Sequence, residues 1–146
     1  MALSQGAQRR SGNRGVAAVL KVLAAVPALG FVFAGLAWWI TPALAGSRLG
    51  MDLLGGLGLS TQIADLASFF LTLGTAILIG LLSDERVWLY PPIMLIGFAI
   101  IGRLVAWRFH GADFAGVMIA VEACVLAILI LNVRAQAKPT ALAVSA

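Results

Sequence analysis

The chain has 146 residues, of which 62% are hydrophobic and only 11% are charged, and its formal net charge is +4. A soluble domain is roughly 45–50% apolar and about 25% charged. So few charges cannot cover the apolar surface of a small soluble protein, so lipid must solvate most of this one. Four spans of about 20 residues each, together with their loops, use nearly all of these 146 residues, so we expect no separate soluble catalytic domain among them.

Four apolar runs predict an all-α fold, a transmembrane four-helix bundle with up-down-up-down topology. Pro91 and Pro92 suit the start of a helix, because the N–H groups of the first turn have no acceptor within the helix and proline lacks only this group. We expect a transmembrane domain over residues 16–134, between disordered tails at 1–15 and 135–146. The predicted spans are 22–40, 63–82, 91–109 and 116–133.

Short polar side chains suggest where two of these helices begin. Ser60 or Thr61 is predicted to cap the second helix, which would place Asp65 in its first turn, where the helix dipole favours an acid. Asp113 is predicted to cap the fourth helix.

Tryptophans and small residues predict where the first two helices contact the membrane interface and other helices. Trp38 and Trp39 lie at the end of the first span, where an interfacial aromatic belt is expected. Small residues four apart permit close approach of membrane helices. Gly30 with Ala34, and Ala76 with Gly80, are pairs of this kind within the spans.

The distribution of Lys and Arg predicts the orientation. Short flanks on the cytoplasmic side of a membrane protein carry an excess of these residues. The side that holds both termini carries Arg9, Arg10, Arg14, Lys21, Arg86, Arg134 and Lys138, whereas the other side carries Arg48, Arg103 and Arg108. We therefore expect cytoplasmic termini, and the expected location is the bacterial inner membrane. The basic residues form no stripe with interleaved aromatics, so nucleic acid is not an expected partner.

One alternative for the N-terminal segment is a cleaved signal peptide. Ala43-Leu44-Ala45 before Gly46 resembles a cleavage site that follows an apolar run. However, the run is about 19 residues, longer than the 7–15 of a usual signal peptide, and two tryptophans precede the site as anchors would. An uncleaved first span is therefore the preferred interpretation.

Two ionisable residues lie deep within predicted spans, where each costs about 2.5–3.5 kcal/mol on insertion scales. Arg103 lies six residues before Phe109, where the third span ends on the outer side. Glu122 lies six residues after Gly116, where the fourth span begins on the same side. At 1.5 Å per residue both lie about 9 Å below the outer boundary. Neighbouring antiparallel helices would bring them to matched depth, which predicts a bidentate ion pair.

Further polar residues are predicted near the same membrane side. The expected cluster comprises Asp65, Arg103, Arg108, His110, Asp113 and Glu122, whereas the inner half has almost no polar residue within its spans. Three interpretations stay open: a structural clamp between the third and fourth helices, a polar-lined pocket for a lipid headgroup, quinone or other amphiphile, and proton transfer or catalysis through Glu122 and His110. A single His with scattered carboxylates has no metal-ligand spacing, and the lone Cys124 permits no internal disulfide, so we expect neither metal nor cofactor.

From about Leu29 to Leu131 the chain resembles a family of small bacterial four-helix membrane proteins known as a domain of unknown function, number forty-three forty-five. The resemblance rests on Thr41-Pro42 after the first span, Gly102-Arg103 late in the third, His110-Gly111, and then Glu122. It implies the four-helix fold and marks the same polar pair, but it implies no activity. The chain departs from the family early in the second span, where Leu66-Ala67-Ser68-Phe69-Phe70 lacks the family's arginine.

These features predict a small, non-enzymatic membrane protein that binds a lipid or other amphiphile, or that serves as an accessory subunit of a membrane complex. Its expected partners are membrane lipids, other membrane subunits or a second copy of the chain. The alternative is a small proton-coupled transporter acting as an oligomer through Glu122, although the two halves show no internal repeat. A membrane-embedded enzyme is the third expectation.

Overall fold

The computed structural model describes the backbone of residues 2–136 and the side chains of residues 15–136. Within this range it is all-helical and contains no strand. The helices are α1 (Ala2–Ile40), the short α2 (Pro42–Arg48), α3 (Gly56–Leu82), a 3₁₀ turn (Arg86–Leu89), α4 (Tyr90–Phe109) and α5 (Gly116–Gln136). Four segments are long and apolar enough to cross a membrane: Gly15–Ile40, Gly56–Leu82, Arg86–Phe109 and Gly116–Gln136. The chain is therefore a multi-pass membrane protein.

The long helices alternate in direction, as predicted. Asn132 near the end of α5 bonds the Leu20 carbonyl early in α1, and Arg103 late in α4 bonds Glu122 early in α5. We call the end of the bundle that contains Lys21, the turn at Ser83 and Gln136 the terminal half. The opposite end, which contains α2 and the loop between α4 and α5, is the distal half.

Several predicted boundaries differ from the structure because the helices extend past their apolar runs. In the structure α1 begins at Ala2, within the segment 1–15 for which a disordered tail was predicted. No proline interrupts this stretch, and each residue added to an existing helix gains a backbone hydrogen bond. Likewise α5 continues to Gln136 rather than 133, and the remainder of the predicted C-terminal tail, 137–146, lies outside the described residues.

The second long helix begins earlier than predicted, so the predicted cap is wrong. Its N-cap is Gly55, and Thr61 lies inside α3, where its hydroxyl donates to the Leu57 carbonyl at 3.2 Å. Asp65 consequently lies beyond the first turn. The predicted Asp113 cap is also not formed: the described residues show no hydrogen bond from that exposed side chain.

Glycines bring α1 and α3 closest together, but they are not the predicted ones. A Cβ on Gly74 would lie 2.5 Å from the Ala28 carbonyl oxygen, and one on Gly35 would lie 2.9 Å from the Leu71 nitrogen. Gly30, in contrast, has no atom within 4 Å of a Cβ position, and Gly80 contacts the Leu89 side chain. Close backbone approach therefore fixes the α1–α3 seam at positions outside the predicted pairs.

Trp38 corrects another expectation. Its side chain is buried, at 1% exposed, against Ala45 and Ala67, while the neighbouring Trp39 is 59% exposed. Only Trp39 has the exposure that an interfacial anchor requires. Trp38 instead forms the core where α2 folds back over α1 and α3.

Candidate functional site

The predicted ion pair between α4 and α5 is present. The Nε of Arg103 donates to Oε1 and Oε2 of Glu122, both at 3.0 Å, and its Nη2 lies 2.9 Å from Oε1. The guanidinium therefore contacts the carboxylate through two nitrogens, an arrangement that is stronger and more directional than a single-point contact. The two side chains are 32% and 19% exposed.

Both residues lie on the faces of α4 and α5 that turn toward the interior of the bundle. On α4, the buried Pro92 and Ile96 continue at helical spacing to Arg103. On α5, the buried Leu129 and Val125 continue in the same way to Glu122. On these two faces the ion pair therefore lies at the distal end of the row of apolar core residues.

Beyond the ion pair, α4 and α5 bury no residue against the rest of the bundle. Every fully buried residue of α4 precedes Arg103, and every one of α5 follows Glu122. Toward the loop, Trp107 and Phe114 pack edge to face with ring centroids 5.2 Å apart. The ion pair is therefore the main polar contact that holds the distal ends of these two helices together.

The other predicted cluster residues do not join the pair. Asp65, Arg108, His110 and Asp113 are all exposed, and across residues 15–136 none of them forms a salt bridge or a side-chain hydrogen bond with Arg103 or Glu122. Arg108 lies over the Phe109 ring, with its Cζ 5.3 Å from the centroid. A binding, transport or catalytic role for these six residues stays a prediction.

Nothing in the described part of the chain brings metal-ligand side chains together. No three His, Cys, Asp or Glu residues group there. Cys124 is exposed on α5.

Sequence reasoning missed two buried amides, one in each half. In the terminal half, Asn132 is 1% exposed, and its Nδ2 donates to the carbonyls of Leu20 and Ile128 at 2.9 and 3.0 Å. In the distal half, Gln62 donates to the Asp52 carbonyl at 3.1 Å and accepts from the Leu54 amide at 3.0 Å. Each is an amide side chain within an apolar run of the sequence. This pattern could have predicted a contact to another segment, because a buried amide requires hydrogen-bond partners.

A groove of about 470 Å³ lies between α1, α2 and α3 in the distal half. Its walls are almost entirely apolar, and Arg48, the last residue of α2, lies at its edge. Arg48 is exposed, and no salt bridge involves it among residues 15–136. The groove is lined by Gly30, Phe33 and Ala37 of α1, Leu44 and Arg48 of α2, and Phe70 of α3.

A second, more open cavity of about 520 Å³ lies beside the start of α3, where Asp65 and Gln62 line it together with Leu54. Neither of these cavities includes Arg103 or Glu122. The volume of the α1–α2–α3 groove falls within the roughly 300–1,000 Å³ of small-molecule sites, and of these two cavities it is the one that combines an apolar wall with a cation.

Comparisons with known proteins add no family to this picture: no family model, no curated protein and no solved structure matches the chain. The four-helix family resemblance described above stays a prediction.

Proposed function

We propose that this protein is a non-enzymatic membrane protein that binds a lipid or another amphiphile in the α1–α2–α3 groove. The observation that carries the proposal is the combination of an apolar wall with an unpaired guanidinium at its edge. An anionic amphiphile has the complementary pattern, with a hydrocarbon chain for the wall and an oxyanion for Arg48.

The groove suits one chain of an amphiphile. From Gly30 to Trp38 it extends along about 12 Å of α1 at 1.5 Å per residue. Moving a hydrocarbon chain from bilayer to groove exchanges one apolar environment for another, so apolar burial alone gives little net affinity. Selectivity must therefore come from the shape of the groove and from the charge of Arg48.

Arg48 is placed to supply that charge. It ends α2, and the Trp38–Ala45 contact anchors this short helix to the bundle. A guanidinium offers five N–H donors in a fixed plane, which match the oxygens of phosphate or carboxylate. We infer that Arg48 orients the headgroup of the bound molecule while its chain lies along α1.

Arg103 and Glu122 have a structural role in this proposal. The side-on contact already satisfies both charges, and the pair lies where α4 and α5 lose their apolar core contacts. We infer that it clamps the distal ends of these helices. The asymmetry in Lys and Arg further supports cytoplasmic termini, which would place the groove toward the outer leaflet. The resemblance to a bacterial membrane family supports a location in the bacterial inner membrane.

Native mass spectrometry of the purified protein with an anionic phospholipid such as phosphatidylglycerol tests the site. Gly30→Leu places an apolar side chain in the groove, and its Cβ has room there because no atom lies within 4 Å of that position. Gly97→Leu on α4 is the matched control, since that position is equally open and does not line the groove. We expect the first variant to lose most of the retained lipid and the control to keep it.

A second pair of measurements separates charge from shape. Arg48→Gln is expected to weaken retention of phosphatidylglycerol about tenfold, the loss of one charge-assisted contact, and to leave retention of a zwitterionic lipid unchanged. Equal retention by wild type, Gly30→Leu and Arg48→Gln would refute a binding role for the groove.

A further inference from the structure

The exposed face of α3 carries a stripe of polar side chains. We call Thr61, Asp65, Ser68, Thr72 and Thr75 the α3 stripe. Their spacing of four, three, four and three residues places them on one side of the helix, and all five are exposed. The stripe extends over about 21 Å at 1.5 Å per residue, about two thirds of the hydrocarbon thickness of roughly 30 Å.

This face differs from the outer faces of the other long helices. Between Gly58 and Leu78, α3 exposes no large hydrophobic side chain, and its exposed ones lie at its ends. The other long helices expose large apolar side chains along their spans, as contact with lipid requires: Val22, Val26 and Phe33 on α1, Met94, Phe98 and Ile101 on α4, and Val121 and Leu131 on α5.

Lipid cannot satisfy the groups of the stripe. An unpaired hydroxyl in an apolar medium loses its hydrogen bonds to water without replacement, and a carboxylate costs more. A Ser or Thr can avoid this cost by bonding the carbonyl four residues earlier, as Thr61 does with Leu57. Among residues 15–136, the hydroxyls of Ser68, Thr72 and Thr75 make no such bond, unlike those of Thr61 and Ser83, which leaves them available to a partner outside this copy of the chain.

We propose that the α3 stripe is the interface through which two copies of this chain associate. A hydroxyl is both a donor and an acceptor, so a row of hydroxyls is complementary to an identical row. A two-fold axis along the membrane normal would set two α3 helices side by side in the same direction, with Thr72 opposite Thr72 at equal depth. Ser and Thr are among the residues enriched at contacts between membrane helices.

Asp65 gives the proposed interface a distinct feature. In the two-fold arrangement the two Asp65 carboxylates approach each other near the distal end of the stripe, and like charges repel. Asp65→Asn removes this repulsion and adds hydrogen-bond donors, so we expect it to strengthen self-association about threefold to tenfold. A dimer weakened by Asp65→Asn would contradict the two-fold geometry.

Cysteine cross-linking in membranes tests the geometry directly. Cys124 is the only cysteine, so Cys124→Ser yields a cysteine-free background into which Ser68→Cys, Thr72→Cys and Thr75→Cys are introduced one at a time. A disulfide requires Cα atoms within roughly 7 Å. Phe98→Cys on α4 and Val121→Cys on α5 are controls, since both positions are exposed and lie off the stripe.

We expect rapid dimer formation at Thr72 and Thr75 upon copper–phenanthroline oxidation and at least tenfold slower formation at the two controls. Equal rates at all positions, or faster rates on α4 or α5, would overturn the proposal. The double variant Thr72→Leu with Thr75→Leu gives a second test, because it replaces exposed side chains and leaves the core intact. It is expected to shift native mass spectra from dimer toward monomer. A wild-type protein that is monomeric in native-membrane extracts would refute self-association, independently of lipid retention in the groove.

Discussion

In the terminal half, all four long helices contribute to one buried apolar cluster, which includes Ala28, Ile77, Ile96 and Leu129. In the distal half, the buried cluster of the described residues joins only α1, α2 and α3 through Trp38, Ala45 and Ala67. There α4 and α5 form a separate pair, held by Arg103 and Glu122. The bundle is thus a packed four-helix core at one end and two helix groups at the other.

This difference explains where binding sites can form. Packing of all four helices leaves little room between them, whereas in the distal half α4 and α5 do not cover α1, α2 and α3, and a groove opens among these three helices. The α1–α2–α3 groove lies in the distal half. The distal half is therefore expected to determine what the protein binds.

The largest expected effect comes from breaking the distal clamp. Glu122→Leu leaves the Arg103 guanidinium without a partner, which typically costs roughly 3–5 kcal/mol for a buried pair. We expect about 2–3 kcal/mol here, because the Arg103 side chain is 32% exposed. Unfolding in mixed SDS–detergent micelles measures the loss.

The matched control for that prediction replaces both partners. Arg103→Leu combined with Glu122→Leu leaves no uncompensated charge, so its stability should stay within about 1 kcal/mol of wild type. A double variant as unstable as the single one would indicate that the charges contribute more than mutual neutralisation.

The next effect concerns the α1–α3 seam, which both halves share. Gly74→Ala would place a Cβ 2.5 Å from the Ala28 carbonyl oxygen, so the two helices must separate. Overpacking of this kind costs about 1–3 kcal/mol, visible as a lower midpoint in thermal unfolding. Gly30→Ala adds the same methyl group where no atom lies within 4 Å and is expected to have no effect. Equal losses for the two variants would contradict the seam.

A smaller effect is expected at the buried amide of the terminal half. Asn132→Leu removes the bond to the Leu20 carbonyl that ties α5 to α1. A hydrogen bond between membrane helices contributes about 0.6 kcal/mol on average and up to about 1.7 kcal/mol, so we expect a loss near 1 kcal/mol. Amide hydrogen exchange should increase around Leu20 and remain unchanged around Ile119 in the distal half of α5.

The smallest effect is expected for the ion pair between Lys21 and Asp84 at the terminal end. Their side chains are 34% and 65% exposed, and water and salt screen such pairs. Lys21→Gln should therefore change stability by less than about 0.5 kcal/mol. A loss as large as that of Glu122→Leu would mean that the terminal half depends on charge rather than on apolar packing.

Local properties of the sequence were enough for the class of fold. Hydropathy sums along the chain locate each span, because about 20 apolar residues in a row have no other stable environment than lipid. Depth was predictable in the same way: Arg103 and Glu122 lie at equal distances from the ends of neighbouring antiparallel helices, and the structure pairs them. A charged side chain within hydrocarbon has few possible partners other than an opposite charge at the same depth.

The direction in which each side chain points was decided only by the packed structure. In a soluble helix the apolar face is the buried face, but lipid and protein core are equally apolar, so hydropathy does not distinguish them. For that reason Trp38 was predicted at the interface and is buried, and Gly35 and Gly74 rather than Gly30 form the helix seam. The groove beside Arg48 and the exposed polar face of α3 likewise depend on how α1 and α3 are rotated against each other, which no local pattern specifies.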